Sequence, residues 1–193
     1  SSAGFAPLRM LPIDGDGDGD LDLLVSNNIV NAVSLLTNDG SGGFSFTGAT
    51  TNIPGPAGLA KGDLDGDGDD DVVVACTAAD VILTIRNDGT ALVPQTFVSV
   101  GSVPLDVVIA DFNHDQRPDV VTANVADGSV SVLTNDRGFN FVRADFSTPD
   151  TPVGLDVTNS ENSLGLDLVV ACFDAWQVSV LTNDGQGDFN LSY

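Results

Sequence analysis

Positive charge is scarce in this sequence: six Lys and Arg residues stand against 28 Asp and Glu residues, for a formal net charge of −22 over 193 residues. Nucleic acids and anionic membranes are bound chiefly through Lys and Arg, so neither is expected as a partner. Long apolar runs are also missing. None reaches the roughly 18 residues of a membrane-spanning helix, which argues against membrane insertion, and residues 1–4 do not have the pattern of a signal peptide.

Glutamate, histidine and cysteine are nearly absent. Glu161 is the one glutamate, so almost all the negative charge sits on aspartate, the short acid that suits turns and tight oxygen cages. This favours metal-binding loops, with a halophile-type acidic coat as the alternative for the charge elsewhere. Because His114 is the only histidine, the sequence offers no candidate catalytic triad, and we expect His114 at the surface.

The sequence repeats with a period of 48 or 49 residues, and the fold prediction rests on this repeat. Three landmarks keep the spacing in all four units. They are the prolines Pro7, Pro56, Pro104 and Pro152, the loop openers Asp14, Asp63, Asp111 and Asn159, and the Asn–Asp pairs that begin at Asn38, Asn87, Asn135 and Asn183. Cys76 and Cys172 also share one phase, two units apart, so we expect them to be free, buried and inert.

Within each unit the periodicity is that of strands. A short apolar segment follows the proline, a β-branched run follows the aspartate loop, a third strand follows a polar turn, and the Asn–Asp turn leads to a variable fourth strand. Four strands in under about 50 residues are typical of a propeller blade. We predict an all-β fold, a β-propeller of four-stranded antiparallel blades near residues 7–55, 56–103, 104–151 and 152–193, the last completed by residues 1–6.

The register leaves the closure of the ring open, because both ends of the chain fall inside the fourth strand of a blade. Three arrangements satisfy it: four blades that close on themselves, a homodimer in which two chains complete a larger ring, and a part of a longer array. We therefore predict a single propeller domain or a half-ring.

Two aspartate-rich loops carry the clearest chemical signal. Calcium takes about six to eight oxygen ligands and tolerates irregular geometry. We expect carboxylates from positions 1, 3, 5 and 9 of each loop and a backbone carbonyl from position 7, with glycines that let the backbone coil around the ion. In the first loop the carboxylates are those of Asp14, Asp16, Asp18 and Asp22, and the carbonyl is that of Asp20. In the second loop the carboxylates are those of Asp63, Asp65, Asp67 and Asp71, and the carbonyl is that of Asp69.

Other metal sites fit the sequence less well. An EF-hand needs a glutamate at position 12 and flanking helices, and position 12 is Val25 or Val74 here. A catalytic metal needs an open coordination position beside an acid or base, which neither loop visibly keeps. We therefore expect the ion to act as a structural staple.

The third and fourth loops are weaker copies. In the third, Asn113 replaces a carboxylate and Arg117 brings a cation, so we expect weaker binding by Asp111, Asn113, Asp115, the Arg117 carbonyl and Asp119. In the fourth, only two carboxylates remain among Asn159, Glu161, Ser163 and Asp167. The sequence thus predicts about three Ca²⁺ sites and a fourth loop held by hydrogen bonds alone.

The pattern D-x-D-G-D-G-x-x-D, followed by an apolar strand, an N-D-G turn and a phenylalanine, resembles the FG-GAP or VCBS repeat of integrin-α-like β-propellers. The resemblance covers all four units and is strongest in the first two. It implies a calcium-stabilised propeller whose loops join the first and second strands of each blade on one face. It also implies an extracellular protein, secreted or at the cell surface, that binds protein or carbohydrate, as lectin-like and adhesion proteins do.

Recognition is expected where the repeats differ. Trp176 occupies the turn between the second and third strands, where the other units carry Asn31, Asp80 and Gly128. An exposed aromatic side chain can stack on a sugar or anchor a protein partner, and packing is its alternative role. We expect a binding or scaffold module that is not an enzyme; the alternatives are a polysaccharide-active enzyme or its accessory domain, and a self-assembling structural repeat unit.

Overall fold

The structure is a computed structural model that describes residues 6–160 and 164–192. These residues form strands and turns, and no helix among them could cross a membrane. The strands make four separate sheets, each of four antiparallel strands in chain order. This is the blade arrangement of a β-propeller, so the prediction of an all-β propeller fold with four blades is confirmed.

The first strand of every blade begins at the repeat's proline, and the second begins at the aspartate that ends the loop. Blades one and two contain β1 (Pro7–Ile13), β2 (Asp22–Asn27), β3 (Ala32–Asn38), β4 (Phe44–Thr51), β5 (Pro56–Gly62), β6 (Asp71–Cys76), β7 (Val81–Asn87) and β8 (Leu92–Ser99). Blades three and four contain β9 (Pro104–Ala110), β10 (Asp119–Asn124), β11 (Ser129–Asn135), β12 (Phe141–Ser147), β13 (Pro152–Thr158), β14 (Asp167–Cys172), β15 (Gln177–Asn183) and β16 (Phe189–Ser192).

The blades are held together by apolar clusters between neighbouring sheets. Alternate side chains of a strand point to opposite faces, so each blade has a rear face toward the preceding blade and a forward face toward the next. Val72, Val74 and Leu83 lie on the rear face of blade two and pack with Leu24 and Val33 of blade one. Similar clusters fill the next two gaps. Since burying one such side chain contributes about 1.5 to 3 kcal/mol, these clusters are the main source of stability.

The described residues of the four blades form an open arc. In the inner layer β1 contacts β5, β5 contacts β9, and β9 contacts β13, whereas the described residues of β13 and β1 make no comparable contact. The rear face of blade one and the forward face of blade four therefore lie at the two ends of the arc. The predicted completion of the last blade by residues 1–6 cannot be placed, because residues 1–5 lie outside the described residues.

Both cysteines are free and buried, as predicted. Burial raises the pKa of the Cys76 thiol to about 12, so the reactive thiolate is scarce near neutral pH. Cys76 and Cys172 are therefore apolar packing groups in the clusters between blades.

Candidate metal centre and recognition surface

The aspartate loops all lie at one edge of the blades. Each connects the first strand to the second, and because the strands are antiparallel, the turn from third to fourth strand shares that edge. The turns from second to third strand, including the one with Trp176, lie at the opposite edge. The fold therefore separates the aspartate loops from the Trp176 turn.

The first loop is coiled by hydrogen bonds from its backbone to its own carboxylates. The two Asp14 carboxylate oxygens accept from the Gly17 N–H at 2.9 Å and the Gly19 N–H at 3.0 Å, and Asp18 accepts from the Asp20 N–H at 2.9 Å. Gly17 and Gly19 have φ values of 78° and 92°, which side chains disfavour and glycine adopts freely. The second loop repeats these bonds around Asp63.

Each of the first two loops brings three carboxylates together. Oxygens within 4.8 Å of one another come from Asp14, Asp16 and Asp18 in the first loop and from Asp63, Asp65 and Asp71 in the second. Burial and then neighbouring carboxylates raise the pKa of Asp16. Oxygen donors of one charge at this spacing suit a hard cation such as calcium, so the residues present fit the predicted ion.

The side chains at position 7 point away from these groups. A Cβ atom on Gly40 would come within 2.6 Å of the Asp20 carboxylate, and one on Gly89 within 2.8 Å of the Asp69 carboxylate. Both carboxylates thus lie against the turn from third to fourth strand. The side chains thus lie outside the groups of three carboxylates, and metal binding by the backbone carbonyls at position 7 stays a prediction.

Position 9 has a structural role that the sequence analysis missed. Asp22, Asp71, Asp119 and Asp167 are fully buried, and both carboxylate oxygens of each accept backbone N–H bonds. One comes from position 2 of the loop and the other from the asparagine that ends the third strand. Burial raises the pKa of Asp71 and of Asp119 to about 6. These aspartates fasten loop to sheet in all four blades, and whether they also bind metal stays a prediction.

The third loop carries its own cation. The Arg117 guanidinium forms an ion pair with Asp115 and donates a hydrogen bond to the Asn135 carbonyl at 2.8 Å. His114 and Gln116 adopt φ values of 61° and 67° where the first two loops have glycine, which strains non-glycine residues by about 1 kcal/mol each. His114 is exposed, as predicted. The substitutions that predict weaker calcium binding by the third loop therefore coincide with neutralisation of the Asp115 carboxylate by Arg117.

Arg86 is a second cation beside an aspartate loop. It was missed in the sequence because it lies in the strand β7 and not in the loop itself. Its Nε lies 3.3 Å from the Asp65 carboxylate and 3.8 Å from that of Asp67. The other three blades have threonine at this place in the repeat. This difference between the repeats was the sequence signal that could have revealed Arg86. The side chain is partly exposed, so the contribution of its ion pairs to stability is small.

The fourth loop is fastened without a carboxylate cage among the described residues. Asp167 accepts hydrogen bonds from the Ser160 hydroxyl and from the Asn183 N–H, the latter at 2.8 Å. Leu164 is 76% exposed. The predicted positions Glu161 and Ser163 lie outside the described residues.

The asparagine of three of the four Asn–Asp pairs joins neighbouring blades, which the sequence analysis did not anticipate. Its amide donates to a loop carbonyl of the preceding blade in three cases: Asn87 to Asp14 at 3.0 Å, Asn135 to Leu64 at 2.8 Å and Asn183 to Phe112 at 2.7 Å. All three asparagines are at most 4% exposed. The presence of asparagine in all four units was the signal. We call this contact the asparagine clamp.

The gap between blades one and two contains an apolar cavity of about 330 Å³. In the later gaps a large residue at loop position 2 meets phenylalanine from the fourth strand of the next blade, as where Phe112 and Phe189 make edge contact at 5.5 Å. In the first gap the same places hold Gly15 and Leu92, which both line the cavity. Gly15 has no side chain and Leu92 is smaller than phenylalanine, so the space is left unfilled.

Trp176 lies where predicted and is 88% exposed. Trp176 has a φ of 53°, which lies in the left-handed region. Asn31 and Asp80, at the same place in blades one and two, also have positive φ values. The Trp176 ring stacks on Phe173 with centroids 6.1 Å apart and planes 26° apart. The pair forms a flat apolar platform beside a shallow cavity of about 340 Å³ that also contacts Val178.

A family model described as an FG-GAP-like repeat matches residues 14–74 and 63–122 of this chain. Together these matches span the first two loops and reach through the third, which is more than half of the chain. The match confirms the resemblance that the loop pattern predicted. No curated protein sequence matches the chain.

Solved structures match nearly the whole chain at low identity. A proposed 6-phosphogluconolactonase from Bacteroides uniformis superposes with a TM-score of 0.74 at 11% identity, over 97% of this chain and 53% of its own. BBS1N, solved in complex with ARL6DN, gives 0.68 at 14% identity, over 98% and 56%. An Agrocybe aegerita lectin that recognises terminal N-acetylglucosamine gives 0.58 at 21%, over 95% and 50%. These likenesses show the fold alone, and the chain spans about half the length of the structures it matches.

Proposed function

Since this chain belongs to the FG-GAP-like repeat family, we propose that it is a calcium-stabilised β-propeller module of an extracellular protein, which binds a protein or carbohydrate partner. The observation that carries the proposal is the pair of three-carboxylate groups in the first two loops. Without a cation their like charges repel, so calcium binding and folding are coupled. Millimolar calcium, as found outside cells, suffices for sites of modest affinity.

We expect two stronger calcium sites and one weaker site. The stronger sites use Asp14, Asp16 and Asp18 in the first loop and Asp63, Asp65 and Asp71 in the second. In the third loop the Arg117 guanidinium competes with the ion for Asp115. The metal supplies charge neutralisation and rigidity, while the carboxylates coil the loops and fasten them to the sheets.

Recognition is assigned to the Trp176 edge. The Trp176 and Phe173 rings form an exposed apolar platform at the edge opposite the metal loops, and aromatic platforms suit sugar rings and protein hot spots. The lectin and the BBS1N complex are fold neighbours that bind carbohydrate and protein, which supports this class of partner. Because Trp176 is the only tryptophan, titration with a glycan panel should change its fluorescence directly; no change with any glycan would leave the platform to a protein ligand.

Thermal unfolding in calcium and in EDTA tests the proposed role of the metal. Calcium at 100 times its dissociation constant stabilises by about 2.7 kcal/mol per site, which for a chain of this size raises Tm by roughly 5 to 10 °C per site. Asp16→Asn and Asp65→Asn should each lose part of that rise. Asp20→Asn is the matched control, because it keeps the backbone carbonyl that position 7 contributes. Equal Tm values in calcium and EDTA would refute the proposal.

A further inference from the structure

Asn87, the last residue of β7, is hydrogen-bonded to one aspartate of each three-carboxylate group. Its side-chain amide donates to the Asp14 backbone carbonyl at 3.0 Å, and its backbone N–H donates to an Asp71 carboxylate oxygen at 2.9 Å. The Asp14 carboxylate belongs to the group in the first loop, and the Asp71 carboxylate belongs to the group in the second. One residue therefore connects the two proposed calcium centres directly.

The surroundings of Asn87 leave it little freedom to move. Asn87 is 4% exposed and Asp71 is fully buried. The Asn87 side-chain oxygen accepts a hydrogen bond from the Gly89 N–H at 3.2 Å, and the second Asp71 oxygen accepts one from the Leu64 N–H at 2.9 Å. Hydrogen bonds shielded from water are electrostatically stronger, so a shift of Asn87 at one group disturbs its bond to the other.

The turn that follows Asn87 makes a second contact with the first loop. A Cβ atom on Gly17 would come within 1.8 Å of the Gly89 carbonyl oxygen, so the backbone of the loop packs directly against the turn. A Cβ atom on Gly89 would lie 2.8 Å from the Asp69 carboxylate of the second loop. The turn is thus enclosed between the two loops, and its position depends on both.

The clamps of the later blades do not join two groups of this kind. Asn135 donates to the Leu64 carbonyl and Asn183 to the Phe112 carbonyl, and neither acceptor residue carries a carboxylate. In the part of the chain that the structure describes, the three-carboxylate groups are those of the first two loops. The direct connection therefore runs between the first loop and the second.

We propose that Asn87 couples the two stronger calcium sites, so that occupancy of either site raises the affinity of the other. This inference rests on the proposed calcium binding. In the absence of an ion, the like charges of each group oppose the coiled form of its loop. Once the first loop is held in that form, its Asp14 carbonyl fixes the Asn87 side chain, and the Asn87 N–H positions Asp71. The second site then forms with a smaller loss of conformational entropy, and the coupling is reciprocal.

Calorimetric titration with calcium measures the coupling, in about 0.15 M salt to screen exposed charges. Asp16→Asn leaves the second site and Asp65→Asn leaves the first. The product of their two association constants is compared with the product of the two stronger constants of the unaltered chain. Equal products mean independent sites. We expect the product for the unaltered chain to be larger by a factor of about 5 to 150.

Asn87→Ala should bring this factor close to one when the same comparison is made in that background. Asn183→Ala is the matched control and should keep the factor. Asn183 is 3% exposed and loses an equivalent cross-blade bond of 2.7 Å, but it lies in β15, between blades three and four. Both substitutions remove a neutral side chain, so the effect of the altered aspartate charges on the remaining site is the same in each background.

Circular dichroism checks that both alanine variants fold, and the comparison within the unaltered chain needs neither of them. A factor close to one in the unaltered chain would overturn the coupling and leave calcium binding itself intact. A factor that survives Asn87→Ala, or one that Asn183→Ala lowers equally, would also overturn the role of Asn87. A chain that binds no calcium would overturn the proposed function together with this inference.

Discussion

Removal of one asparagine clamp should cost far more stability than removal of the Asn38 side chain, which donates to a carbonyl of its own blade. Asn135 is fully buried, donates to the Leu64 carbonyl at 2.8 Å and the Pro118 carbonyl at 3.2 Å, and accepts from the Arg137 N–H at 3.1 Å. Each net hydrogen bond contributes about 1 kcal/mol, and unpaired buried groups add to the loss. Asn135→Ala should therefore destabilise the protein by roughly 2 to 4 kcal/mol, a large share of the total for a domain.

Asn38→Ala is the matched control. Asn38 is only half-buried and makes two long bonds, to the Leu21 carbonyl at 3.3 Å and from the Gly40 N–H at 3.2 Å. Water can replace both, so the cost should stay below about 1 kcal/mol. Urea unfolding in saturating calcium, followed by far-UV circular dichroism, reports all four sheets and gives the midpoint and slope. If Asn135→Ala costs no more than Asn38→Ala, the asparagine does not join the blades energetically.

Three further outcomes follow from the site and the core. Arg117→Ala should strengthen calcium binding at the third loop, because it frees Asp115 while keeping the position 7 carbonyl; calorimetry showing no gain would remove Arg117 as a competitor. Leu92→Phe should fill the cavity between blades one and two and stabilise by about 0.5 to 2 kcal/mol in urea unfolding, whereas a loss would mean that the cavity is too narrow for the ring. In EDTA, stability should fall as the pH rises from about 4 to about 7. Burial holds the pKa of Asp71 and of Asp119 at about 6, above the ordinary 3.8, so the folded state keeps protons that the unfolded state releases. The fall should be smaller in Asp119→Asn, and an equal fall in that variant would contradict this assignment.

The fold was predictable because its signals are local and repeated. Every first strand begins at the proline that marked the repeat, and the second strands are the β-branched runs after the loops. In blade two Val72, Val73 and Val74 are fully buried, since neighbouring strands and blades cover them on all sides. A strand in that position carries apolar residues on both faces and is readable from composition alone.

The contacts between blades were not predictable, because they join residues far apart in the chain. The Asn135 amide meets Leu64, which precedes it by 71 residues, and the Asn183 amide meets Phe112, also 71 residues earlier. The cavity depends on glycine at residue 15 and on leucine in place of phenylalanine at residue 92, although neither residue is unusual by itself. The opening of the arc likewise depends on how the sheets stack, and a pattern within one repeat does not encode it.

The hydrogen bonds of the aspartate loops agree with a structural role for these loops. The position 9 aspartate is buried and fully hydrogen-bonded even in the fourth blade, where the described residues hold no carboxylate cage. The hydrogen bonds that hold the loop to the sheet are thus common to all four repeats, and the first two repeats add a group of three carboxylates. The recognition that we propose falls on a feature that occurs in one repeat, the Trp176 and Phe173 platform, in which Trp176 is 88% exposed.

The number of calcium ions that one chain binds is the most direct test of a calcium-fastened propeller. Isothermal titration of the chelator-treated protein should give two stronger sites per chain and a weaker third. Asp16→Asn and Asp65→Asn should each abolish or weaken one of the stronger sites, and Asp20→Asn should keep both. A chain that binds no calcium, or one whose two stronger sites survive both Asp16→Asn and Asp65→Asn, would contradict the assignment of the carboxylate groups as the metal centres.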